Sequence, residues 1–236
     1  MKKIHWILTG LTFSIIILSL NRLTTLTSGY LQPYEFLRWL DFNAMLPIPL
    51  LSVLLYYLLW RQVGWNDAFQ RTGKYVVLAL LFISGVYFFA AGSGTHEVTN
   101  YLNTRFCDAG RTKNTICNII AYNDDEFSHY VYYLGFILLN ISLMFLEFFQ
   151  PRKTKVTNRD IVFVGLNSLL IGLGIFANLA FEEIGLDLVF FGSVMVLALL
   201  LLFLKRSPYR LPVIFYFAAS YTLGVASTIL YKLVAG

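Results

Sequence analysis

Residues 194–204 read VMVLALLLLFL, an unbroken apolar run. A strand of a membrane barrel alternates apolar and polar residues over about ten positions. This run does not alternate, so it is expected to be helical, and widened to 188–204 it approaches the roughly 20 apolar residues that carry a helix across a bilayer. Six more runs of that kind lie near 6–20, 44–60, 75–93, 130–149, 161–181 and 211–231. Of the whole chain, 58% is hydrophobic and 13% charged, about half the charged share of a soluble domain. A water-soluble core cannot bury so much apolar side chain. The expected fold is an all-α membrane protein, a bundle of seven transmembrane helices, with residues 1–236 forming one polytopic domain. The first run follows a basic start, MKK, as a signal peptide would. No small-x-small site follows it, and SLNRL is a poor cleavage context, so it is expected to be retained.

Cytoplasmic loops keep Lys and Arg, which sets the orientation. With the N-terminus inside, the cytoplasmic face receives Lys2, Lys3, Arg61, Arg71, Lys74, Arg152, Lys153, Lys155, Arg159, Lys205, Arg206 and Arg210, twelve of the eighteen basic residues. The opposite face receives the other six, with ten of the thirteen acids: Glu35, Asp41, Glu97, Asp108, Asp124, Asp125, Glu126, Glu182, Glu183 and Asp187. The net charge of +5 therefore reports orientation, and no nucleic-acid partner is expected. The C-terminus falls outside. Between helices 3 and 4 one long outer loop is expected, about Thr95 to Ser128, carrying the only cysteines, Cys107 and Cys117. On that side a disulfide persists, and the two are expected to be bonded.

Three polar stretches meet the outer face: GSGTHEVTN at 92–100, YNDDEFSH at 122–129 and NLAFEEIGLD at 178–187. If the fourth helix starts near Asp124, regular spacing puts Asp125 and Glu126 on the His129 side. Glu126-x-x-His129 is the Glu-x-x-His spacing of carboxylate metal sites in helix bundles. His96 and Glu97 close the third helix, and Glu182 and Glu183 follow the fifth. The expected metal ligands are His96, Glu126, His129 and Glu183, with Glu97, Asp125 and Glu182 as catalytic carboxylates. Imidazole with carboxylate suits zinc first, then manganese or iron. Such a site would activate water toward a lipid or another amphiphile, and membrane lipids are the expected surroundings. The alternatives are an acidic vestibule that binds or transports a cation or amine, and an accessory subunit docking through its outer loop. Acids before a helix also serve as caps and complement its dipole without further function.

The ceramidase and adipoQ-receptor superfamily, zinc-dependent lipid amidases and their relatives, resembles this pattern in having seven helices and a His, Asp and Ser cluster at one face. Its His-x-x-x-His pair on the last helix has no counterpart, since 211–236 contains no histidine. Retinal proteins need a mid-membrane lysine, and Lys232 stands at the end of the seventh run. The chain also lacks a Gly-x-Ser-x-Gly elbow, a phosphate-binding loop and a dinucleotide fingerprint. Glu147 is expected to snorkel or to pair with Arg152. Asn140, Asn167 and Ser220 are expected to bond between helices, with Gly172 and Gly174 allowing close contact.

Overall fold

The six prolines stand at 33, 47, 49, 151, 208 and 212, in loops or in the first turn of a helix. Proline breaks helix interiors, so the long apolar runs between them are free to stay helical. The structure, a computed structural model, describes residues 1–107, 114–153, 155–181, 186–205 and 208–235. Ten α-helices lie among the described residues: α1 Lys2–Leu23, α2 Trp39–Met45, α3 Pro47–Val63, α4 Asp67–Gln70, α5 Gly73–Phe106, α6 Thr115–Tyr122, α7 Ser128–Phe149, α8 Asn158–Phe181, α9 Asp187–Lys205 and α10 Pro212–Ala235. One π-helical turn, Asn123–Phe127, joins α6 to α7. A two-stranded hairpin, β1 Tyr30–Leu31 and β2 Leu37–Arg38, precedes α2.

Among the described residues, seven helical stretches are long and apolar enough to cross a membrane by length and composition, and each overlaps one of the seven apolar runs. The outer loop is much shorter than expected. Residues 95–106 continue α5, α6 begins at Thr115, and only 107–114 separate the two. Polar sequence after Gly94 reads as the end of a helix if polarity is taken for loop. Here Ser93, Glu97 and Tyr101, one turn apart, bury one face of α5, and that packing carries the helix on. At about 1.5 Å per residue, the 34 residues of α5 rise some 50 Å, well beyond the ~30 Å of a hydrocarbon core.

Cys107 and Cys117 are disulfide-bonded with Cα atoms 5.5 Å apart. The bond ties the end of α5 to α6, whose first turn is capped by Asn114 through Cys117 N at 2.8 Å.

Two helix pairs pack backbone to backbone at glycine. A Cβ on Gly135 of α7 would stand 2.2 Å from Phe89 N of α5, and one on Gly92 would stand 2.4 Å from Tyr132 N. Between α8 and α10, a Cβ on Gly172 would meet Leu223 Cβ at 2.9 Å, and one on Gly224 would meet Ile175 Cγ2 at 2.4 Å. Gly174 faces Ile15 of α1 instead. Polar side chains add ties across the bundle. Asn140 accepts from Tyr56 of α3 at 2.8 Å and donates to Tyr221 of α10 at 2.5 Å, and Thr12 of α1 donates to Asn167 of α8 at 2.9 Å. Ser220 is buried without such a bond.

Glu147 neither snorkels nor pairs at close range. It is 2% exposed and accepts from the backbone N–H groups of Val213 at 3.1 Å and Ile214 at 2.7 Å. It thus satisfies the open donors at the start of α10, just after Pro212.

Candidate functional site

The close contact of α5 with α7 decides where the histidines fall. His96 lies one turn beyond Gly92 on α5, and His129 lies just before Tyr132 on α7. Because Gly92 admits Tyr132 against its backbone, the next turn outward brings the two imidazoles together, with ring centroids 4.4 Å apart. Glu97, on the same turn of α5, is 3% exposed. It pairs with Arg22 at the end of α1, and its Oε1 stands 3.9 Å from His96 Nε2. The other oxygen, Oε2, is buried with no hydrogen-bonding partner.

The third carboxylate comes from the π turn. A π turn closes its hydrogen bond over five residues rather than four, and Ser128 N donates to Asn123 O. The extra residue rotates Asp124 inward and turns Glu126 outward. Asp124 is 6% exposed. Its Oδ1 is 3.2 Å from His96 Nδ1, Asn103 Nδ2 approaches its Oδ2 at 3.4 Å, and Ser128 Oγ donates to its carbonyl at 2.9 Å. Glu126 is exposed, and the Tyr130 hydroxyl donates to it at 3.4 Å.

The hairpin and α2 pack against α5 beside the site. Arg38 donates to both oxygens of Asp41, at 2.7 and 2.8 Å, with Asp41 wholly buried. That hydrogen bonding raises the Arg38 guanidinium above its ordinary pKa. Arg105, one turn beyond Tyr101, donates to Glu35 Oε2 at 3.0 Å and lies over the Tyr30 ring, pinning the hairpin to the end of α5.

Of the residues expected from sequence, His96, Glu97 and His129 come together. Asp125, like Glu126, is exposed. Glu182 and Glu183 lie outside the described residues. Asp124 and Arg22 were not expected as site residues. The signal for Asp124 is its five-residue spacing to His129, and for Arg22 a cation stranded among acids at the outer end of the first helix. His5, at the opposite end, is 2.7 Å from Asp160 Oδ1 and takes no part.

Arg22 is placed against Glu97, while Asp124 stands beside His96; the two buried carboxylates are balanced if His96 carries a proton, and with neutral imidazoles the site is short of one positive charge. Among the described residues, no group of three His, Cys, Asp or Glu is placed to hold a metal ion. His96 turns Nδ1 to Asp124, Glu97 is engaged by Arg22, and Glu126 faces out, so the donors do not converge and, as arranged, do not fit a metal.

No family model matches the chain, and neither the curated proteins nor the solved structures compared with it gave a match.

Proposed function

We propose that this is a multi-pass membrane protein, N-terminus cytoplasmic and acidic end outside, whose outer site binds a small cation, either an amine or ammonium, for uptake or sensing. One observation carries this reading. Glu97 Oε2 is buried without a partner, beside Asp124 and two histidines, in a cluster that is one positive charge short when both imidazoles are neutral. Although Arg22 holds its other oxygen, a buried carboxylate oxygen left without a hydrogen bond costs about 1–3 kcal/mol, and ionised groups near hydrocarbon are usually paired or functional. An ammonium group brings both the missing charge and N–H donors.

The test is calorimetric titration of detergent-purified protein with ammonium and methylammonium chloride. Saturable binding that is lost in Glu97→Gln is expected. No binding by the folded wild type, or equal binding by the variant, overturns the reading. Orientation is checked separately by a reporter fused after Gly236, which should be active only as an extracytoplasmic fusion.

A second reading keeps the metal-dependent hydrolase acting on a lipid or amphiphile. Two imidazoles 4.4 Å apart beside carboxylates are donor types that zinc accepts, although a site of that kind requires His96 to leave Asp124. Stoichiometric zinc in protein purified without chelator, lost in His129→Ala, would select it over the amine.

A further inference from the structure

Away from the cluster, a groove of about 380 Å³ opens between the outer half of α1 and the α2–α3 segment. Its volume falls in the range of small-ligand sites. The groove is graded. α1 runs outward and α3 inward, so its deep part lies between Ile17 and Leu20 on one wall and Ile48 and Leu51 on the other. Its outer mouth carries Thr24 and Asn43. Where the two parts meet, Asn21 Oδ1 accepts from Asn43 Nδ2 at 3.2 Å, while Asn21 Nδ2 donates to Leu40 O at 2.9 Å. None of the lining residues carries a charge. The nearby charges, Arg22 and Asp41, are committed to Glu97 and Arg38.

The wall formed by Trp39–Val63 is also the least covered of the seven spans, with 17% of its apolar window buried inside the molecule. Leu46, Leu50 and Leu54 on that span are all more than half exposed.

We propose that this groove is a lipid site: it holds one acyl chain of a zwitterionic phospholipid of the surrounding bilayer, with the glycerol and ester region at Thr24, Asn43 and the Asn21–Asn43 pair. The proposal rests on the membrane reading above but not on the cation site. An apolar channel with an uncharged hydrogen-bonding mouth matches the order of chain, ester and headgroup along a lipid. With no free cation at the mouth, an anionic headgroup gains nothing there. Asn43 brings α2 to the groove and α2 also packs on α5, so an occupied groove would brace the helix beside the cation site.

The experiment is native mass spectrometry of the full chain, extracted from membranes and exposed to palmitoyl-oleoyl phosphatidylcholine or phosphatidylglycerol. The wild type should carry one phosphatidylcholine that survives activation. The adduct should be lost in Leu20→Trp and in Leu51→Trp, each of which fills the groove from a partly exposed position, and kept in Leu80→Trp, which alters an exposed position on α5. Circular dichroism establishes that each variant is folded. Wild type without an adduct, adducts equal in all variants, or preferential retention of phosphatidylglycerol would each overturn the proposal. None of these results bears on ammonium binding, which is measured independently.

Discussion

Arg22→Ala removes the guanidinium that faces Glu97. The Arg22 side chain is 34% exposed and that of Glu97 4%, so the substitution leaves a carboxylate that water reaches only through the space vacated by the arginine. Breaking a fully buried pair costs about 3–5 kcal/mol. Partial solvation on the arginine side brings the expected cost to about 2–3 kcal/mol. For a chain of this size, each kcal/mol moves Tm by about 2–4 °C, so Arg22→Ala should melt about 4–12 °C below the wild type when followed by intrinsic fluorescence in detergent. Adding Glu97→Gln removes the stranded charge, and the double variant should recover more than half of the loss. That recovery separates an electrostatic cost from lost packing of the arginine stem. An Arg22→Ala variant within about 1 °C of the wild type, or a double variant no better than the single, would refute the claim that Glu97 is ionised and held by Arg22.

Gly135→Ala puts a methyl group 2.2 Å from Phe89 N and must push α5 from α7. A loss of about 1–3 kcal/mol is expected, whereas Gly165→Ala, with nothing within 4 Å of the added Cβ, should be neutral or stabilising by up to about 1 kcal/mol; thermal melts of the two variants check both. Glu147→Ala leaves the N–H groups of Val213 and Ile214 without their acceptor, at about 2–3 kcal/mol, and Glu147→Gln, which keeps one acceptor oxygen, should lose less in the same assay. Cys107 and Cys117 should resist alkylation until reductant is added, and reduction should lower stability by about 2–3 kcal/mol; labelling of both thiols in untreated protein would show the bond absent.

The helices were legible from the sequence because their signal is long and redundant. A run such as VMVLALLLLFL tolerates several misjudged residues, and all seven stretches were found, five of them within a few residues of their final bounds and the third and fourth short by more than ten residues at the end where they meet. The site was legible in part. Its histidines and Glu97 declared themselves by residue type, but their partners depended on backbone geometry that no residue type announces. Treating 124–129 as regular α-helix puts Glu126 beside His129. A single π turn adds one residue, and Asp124 replaces it. The outer loop was misjudged for a related reason: polarity at 95–106 was taken to end the helix, when it marked only that the helix had passed its apolar span. Glu147 shows the converse, since its capping role needs α10 to begin opposite it, a tertiary fact invisible in MFLEFF.

Where the polar cluster sits also bears on how occupancy could be felt elsewhere. α5 and α7 approach each other at Gly92 and Gly135, where their backbones touch, so the pair cannot easily change its spacing. His96 and Glu97 on α5 and His129 on α7 are therefore held at fixed spacing, with Asp124 beside them on the π turn. Arg22 differs, for it comes from α1, which packs chiefly on α3 and α8 and meets α5 through the Glu97 pair at its outer end. On the proposed reading, a cation taken up beside Glu97 would compete with Arg22 for the same carboxylate, and the weaker scaffold would yield first. The movable partner is thus the end of α1, one wall of the groove that leads into the apolar belt. On that reading, binding at this site would act on α1 and leave α5 and α7 in place, because only the α1 contact rests on a charge that the ligand can replace.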